Sequence, residues 1–276
     1  MNTTRYAIAI ALTLTMMAGF VPTANAQDTP PVDEIVKRAN YTSYYQGKDG
    51  KAGVTMLITD PQGRERNREF VILRRDSQPE DAKDESFTGD QKFYVYFKRP
   101  ADVNKMVFMV WKHVDKDDDR WLYMPALDNV KRIAATDKRT SFVGSNFFYE
   151  DVSGRNPAED THTLKKETDN YYLLESKPKE PDMVEFSRYE TWVVKSNFLP
   201  TKTTYYDKNG KAYREYTVLK VETIQDFPTI TKAQMKDLRT GGKTVTTYDD
   251  VKYNVGLPES IFTERYLRRA PRKYIR

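Results

Sequence analysis

From Gly50 onward, apolar residues recur at every second position in short runs separated by turn residues, and few folds accept that period. Residues 54–58 form one run, Asp60-Pro61-Gln62-Gly63 a turn, and residues 64–74 the return strand of a hairpin. Residues 92–97, 105–111, 121–124 and 130–134 continue the pattern. Residues 171–175, 183–194, 201–206, 213–224, 230–238 and 244–253 repeat it, with Asp207-Lys208-Asn209-Gly210 and Gly241-Gly242 as hairpin turns. Residues 75–90, rich in Asp, Glu, Ser and Pro, read as a loop. Roughly a dozen strands at this spacing predict a mainly β chain, built as one antiparallel sheet. A single helix precedes them over residues 32–39, with acids in its first turn and bases later. Its stripe of Ile35, Val36 and Ala39 must cover something, because isolated helices this short are marginal in water. No Pro/Gly/Ser-rich linker interrupts the chain, so one domain is expected over residues 27–276.

One strand departs from the alternation. Met106-Val107-Phe108-Met109-Val110-Trp111 is apolar at every position, whereas a sheet with one wet face would alternate. Phe93-Tyr94-Val95-Tyr96-Phe97 is nearly as apolar. Both faces of this region must therefore meet something other than bulk water. Two arrangements satisfy that demand: helices on one side with loops on the other, or one face lining a cavity for an apolar guest. Met56, Met106, Met109, Met124, Met183 and Met235 suit an irregular guest, being flexible and polarizable, and serve equally well as core.

Residues 1–26 read as an export leader outside the mature fold. Arg5 supplies the basic end, residues 7–20 are uncharged, and Ala24-Asn25-Ala26 is a signal-peptidase site, which places cleavage after Ala26. The apolar stretch is shorter than the roughly 20 residues of a membrane span. A periplasmic location is expected. With 45 Lys+Arg against 40 Asp+Glu, the excess of positive charge is small and spread out, which argues against nucleic-acid binding. There is no cysteine, hence no disulfide framework and no lipid attachment at a cysteine.

Catalytic material is sparse. The two histidines, His113 and His162, lack a second metal-ligand residue at helical spacing and read as surface residues. No nucleophile elbow, Walker loop or dinucleotide fingerprint occurs. The run Asp115-Lys116-Asp117-Asp118-Asp119 lacks the glycine and distal glutamate of a calcium loop and reads as a hairpin turn. Glu150-Asp151 pairs two carboxylates without showing that they meet a partner across a cleft. No catalytic residue, metal or cofactor is expected, and the chain is not read as an enzyme. The tail carries Arg265, Arg268, Arg269, Arg272, Lys273 and Arg276. It reads either as a group attracted to anionic lipid headgroups, giving peripheral membrane contact, or as a solvated, frayed terminus.

Three segments resemble a known group. Asp119-Arg120-Trp121-Leu122-Tyr123-Met124-Pro125-Ala126-Leu127 runs on through Val130-Lys131-Arg132-Ile133 to Ser141-Phe142-Val143-Gly144-Ser145-Asn146-Phe147-Phe148-Tyr149-Glu150-Asp151. With Val32 to Ala39 and with Tyr248 to Pro258 plus Phe262-Thr263, these runs resemble the outer-membrane lipoprotein-sorting protein family, the LolA-like periplasmic carriers. The resemblance implies a strongly curved, unclosed antiparallel β-barrel with a few helices as a lid. It implies lipid or acyl-chain cargo carried between envelope membranes and, in this longer branch, an inner-membrane partner of the resistance-nodulation-division (RND) type. A sensor of envelope lipid using the same fold is the alternative. A monomer is expected. The residues chosen as cavity lining are Phe93, Val95, Phe97, Phe108, Val110, Trp121, Tyr123 and Trp192, with Phe147 and Phe148 from the stretch 144–149. That stretch reads either as a mobile cover or as a buried connection.

Overall fold

The computed structural model describes residues 29–78 and 88–276; the leader and most of the loop after residue 78 lie outside the described residues. Helix α1 (Val32–Tyr44) leads into strands β1 (Asp49–Thr59), β2 (Glu65–Asp76), β3 (Gln91–Arg99), β4 (Val107–Lys112), β5 (Asp119–Met124) and β6 (Asn129–Arg132). A long crossing segment containing the short helix α2 (Tyr149–Ser153) follows. The chain then returns through β7 (Asp160–Glu167), β8 (Tyr171–Pro178), β9 (Phe186–Val194), β10 (Pro200–Asp207), β11 (Ala212–Ile224), β12 (Phe227–Asp237) and β13 (Lys243–Tyr253). It ends in a tail holding α3 (Arg265–Arg268).

All 13 strands belong to one antiparallel sheet in the order β6-β5-β4-β3-β2-β1-β13-β12-β11-β10-β9-β8-β7. Two meanders thus meet at the β1–β13 pair, and the outer edges β6 and β7 do not bond to each other. The sheet is an unclosed barrel, as expected. Strand β7 escaped the sequence reading, because Asp160-Thr161-His162-Thr163-Leu164-Lys165-Lys166-Glu167 has one aliphatic residue and lies at an edge.

The uninterrupted apolar strand has a plain cause. Antiparallel partners share a face, and Phe93–Val110, Val95–Phe108 and Phe108–Leu122 are cross-strand pairs on the concave side. There Phe142 of the crossing segment sits over them, its ring centroid 5.5 Å from Phe108, 5.8 Å from Phe97 and 6.2 Å from Phe70. On the convex side Tyr94, Val107, Met109 and Trp121 pack against Leu257, Ile261, Phe262, Leu267 and Ile275 of the tail. The Trp111 indole N–H donates to the Phe262 carbonyl at 2.7 Å, and the Tyr94 hydroxyl to that of Tyr266 at 2.7 Å. The buried Asp49 carboxylate accepts the backbone N–H groups of Val255 and Leu257, both at 2.6 Å, and pins the start of the tail. The tail is therefore not a frayed terminus. Its apolar residues face the sheet while Arg265, Arg268, Arg269, Arg272 and Lys273 face outward. Helix α3 belongs to this convex layer and covers no opening.

Candidate functional site

The second half of the sheet is covered differently. Helix α1 lays Ile35 and Ala39 against Tyr172, Leu174 and Val193 on the concave face of β8 and β9. Between α1, the crossing segment and the inner faces of β1, β2 and β8–β13, the side chains leave a cavity of about 440 Å³. Ligand pockets run from about 300 to about 1,000 Å³. Its walls are unlike. One is apolar, formed by Met56, Phe70, Ile72, Phe93, Phe142, Phe147 and Met235. The other carries hydroxyls, from Ser176, Thr191 and Thr203 and from Tyr189, Tyr205 and Tyr216. Tyr189 and Thr191 of β9, and Thr203 and Tyr205 of β10, stand two positions apart, so period two turns each pair of hydroxyls to one face.

The crossing segment is tied to the sheet by ion pairs. Glu150 is buried among Arg139, Lys138 at 3.3 Å and Arg155 at 3.3 Å. Burial would raise its carboxyl pKa, but Arg139, Arg155 and Lys138 outweigh burial and hold it below the ordinary carboxylate range. Arg139 also bonds Glu185 at 2.7 Å, and Arg155 bonds Asp160 at 2.8 Å. Against the pull of burial, the Arg139 bond and charge, with the Tyr213 hydroxyl, bring the Glu185 carboxyl down to about 2. Asp151 of α2 pairs with Arg214 of β11, whose guanidinium lies 4.0 Å over the Phe148 ring. Gly154 ends α2 at φ +78°, and a Cβ there would meet the Tyr44 ring at 2.5 Å, so the helix end can close over this tyrosine only with glycine.

The stretch 144–149 is bonded to its surroundings, with Ser145 and Phe147 buried and Gly144 exposed. The Phe142 amide donates to the Phe147 carbonyl at 2.8 Å, and the Asn146 amide donates to Thr244 Oγ1 of β13 at 3.0 Å. Of the ten residues chosen from sequence, Phe93 and Phe147 line the cavity. Val95, Phe97, Phe108 and Val110 share the concave face but lie packed beneath Phe142 and Tyr149. Phe148 turns from the hollow and sits between Arg139 and Arg214. Trp121 and Tyr123 are corrected to the convex face, because their neighbour Leu122 is the residue paired with Phe108. Trp192 is also on the outer face, edge-on to Tyr171 with centroids 6.1 Å apart. In each tryptophan strand, size suggested the inward position and parity decided otherwise.

Both histidines are more enclosed than expected. His113 is bracketed by Asp90 at 2.9 Å and Asp119 at 3.3 Å. His162 borders the cavity with Nδ1 2.7 Å from the Ser176 hydroxyl and Nε2 2.9 Å from the Pro157 carbonyl, contacts that a proton on Nε2 satisfies. Sequence reasoning also missed Tyr44, Tyr189, Tyr205 and Tyr216 as lining, whereas Met56 and Met235, singled out as suited to a guest, do border the cavity. The two-residue spacing of Thr203 and Tyr205 was the available signal.

No curated protein matches the chain. A family model described only as an uncharacterized protein matches residues 89–269. Among solved structures, a DUF1329 family protein from Desulfovibrio piger is 28% identical over 87% of this chain and 100% of its own, with a TM-score of 0.74. A putative outer membrane lipoprotein-sorting protein domain from Vibrio parahaemolyticus is 24% identical over 86% and 98%, TM-score 0.77. A LolA superfamily protein from Nitrosomonas europaea is 20% identical over 86% and 100%, TM-score 0.64. With the model match spanning more than half of its length, the chain belongs to that family, represented among solved structures by the DUF1329 protein, and its fold is that of the LolA-like outer-membrane lipoprotein-sorting proteins.

Proposed function

We propose that this protein is a periplasmic carrier that binds lipid or acylated hydrophobic cargo inside the open barrel and passes it between envelope membranes. The observation that carries this reading is the unfilled cavity of about 440 Å³ with one wholly apolar wall, in a fold shared with lipoprotein-sorting proteins. Each methylene moved from water into such a wall gains about 0.8 kcal/mol. An acyl chain of about 16 carbons therefore gains on the order of 10 kcal/mol gross, before ordering is subtracted. Leaving a bilayer forfeits nearly the same amount, so transfer is close to balanced, as a carrier requires. A site much stickier than the membrane would trap its load.

In this reading the leader is removed after Ala26, residues 27–276 act as one monomeric domain, and binding proceeds without covalent chemistry. The donor or acceptor would be an inner-membrane transporter of the RND type, as the family resemblance suggests. The exposed bases of the tail supply a surface for brief contact with anionic headgroups. The test is organic extraction of protein purified from its own host, followed by mass spectrometry and by transfer of a labelled lipid between donor and acceptor vesicles. Near-stoichiometric lipid and accelerated transfer are expected. Bound lipid without transfer would favour the sensor role, and an empty protein that takes up no lipid would overturn the reading.

A further inference from the structure

Buried tyrosine hydroxyls normally find a partner, and most in this protein do. Tyr45 donates to the Gly89 carbonyl, Tyr94 to that of Tyr266, Tyr189 to Asp160, Tyr206 to Glu190 and Tyr213 to Glu185, while Tyr253 meets Thr229. Tyr248, which also lines the cavity, meets the Thr246 side chain, and three others are different. Tyr44 of α1, Tyr205 of β10 and Tyr216 of β11 all line the cavity, and their hydroxyls bond to no other group among the described residues. They come from three separate elements and meet the same crossing segment: the Tyr44 ring abuts Gly154 at the end of α2, Arg214, the partner of Asp151, lies 5.2 Å over the Tyr205 ring, and the Tyr216 ring is 6.4 Å from that of Phe147.

We propose that these three hydroxyls form a polar subsite for the cargo. On the carrier reading, the cavity then selects lipids bearing an uncharged oxygen group, an alcohol or an ester, over plain hydrocarbon. Charged headgroups are disfavoured there. Burial keeps the phenols neutral, raising Tyr44 and Tyr216 far above their usual range and pushing Tyr205 up to about 12. The charges that line the cavity are already matched, Asp151 to Arg214, Arg74 to Asp76, Arg155 to Asp160, and Lys51 and Lys252 to Asp250. An ionised guest would have to shed water with no free counter-charge to receive it. A neutral oxygen can accept from one phenol, and an alcohol can donate to another.

The test uses the purified protein and displacement of N-phenyl-1-naphthylamine, a neutral fluorescent probe, by dodecane, 1-dodecanol, methyl dodecanoate and dodecanoate. The triple variant Y44F/Y205F/Y216F keeps the apolar wall and removes only the hydroxyls. The advantage of alcohol and ester over alkane is expected to shrink roughly tenfold in this variant. Dodecanoate should gain no advantage over the ester in either protein. The single variants Y44F and Y216F, each expected to lose a part of the preference, serve if the triple variant does not fold. An alcohol-to-alkane ratio that is the same in wild type and variants overturns the subsite while leaving the carrier reading intact. Failure of the wild-type protein to bind the probe or any of the four ligands overturns both.

Discussion

Strand β4 is buried on both faces, whereas in β10 every residue is only half-buried. The contrast extends to the two meanders. Strands β3 and β4, with parts of β2 and β5, lie between the crossing segment and the carboxy-terminal tail, so their side chains are enclosed from both sides. Strands β8–β10 carry a charged lattice on the outside, with Lys165 and Arg188 each paired with both Glu175 and Glu190, and a cavity on the inside. The difference teaches where such a fold keeps stability and where it keeps room for a guest. A face packed by a dedicated segment becomes core, and a face left with hydroxyls and no filler becomes a site.

That division can be broken experimentally. Truncating the ring that covers the first meander, Phe142→Ala in the crossing segment, should lower unfolding free energy by about 4 kcal/mol in urea titrations, since Phe70, Phe97 and Phe108 lose their cover together. A loss below 1 kcal/mol would mean that the crossing segment is not core. Glu150→Gln should follow, at about 3 kcal/mol, because it leaves Arg139, Arg155 and Lys138 enclosed without their shared carboxylate. An unchanged urea midpoint would show that this charge cluster within the crossing segment is dispensable.

The third effect is smaller and depends on pH. The folded-state carboxyl of Glu185 lies at about 2, below its ordinary value of 4.5, so its stabilising contribution is complete above pH 4.5 and fades as pH falls towards 2. Glu185→Gln should flatten this acid limb of the stability curve; a limb of identical slope in both proteins would contradict the assignment. Least of all should come from the outer face of the second meander. Trp192→Ala is expected to change stability by about 1 kcal/mol or less and to leave probe binding in the cavity untouched. A marked loss of binding would return Trp192 to the lining and reverse the parity of β9.

Much of this was legible from residues alone. The period-two runs located twelve of the strands, and six successive apolar residues at 106–111 announced a strand covered twice. Edge strand β7 was not legible, because its side chains meet water on most sides and carry little hydrophobic signal. The site was read only in part. Phe93 and Phe147 border the cavity, while Trp121, Tyr123 and Trp192, chosen for their aromatic character, lie on the other face. Hydrophobicity tells that a residue is buried; it does not tell against which layer.

Local chemistry, then, settled the strands, the turns and the antiparallel grammar of this protein, since backbone period and turn residues act over a few positions. Whether a given inward face would be filled or hollow was decided by segments distant in the chain. Phe142 and Phe147 arrive from the crossing segment, Leu257 to Ile275 from the tail, and Tyr44 from the first helix. Their meeting with the sheet depends on register, curvature and ion pairs between residues far apart in sequence, and only the assembled fold brings those together.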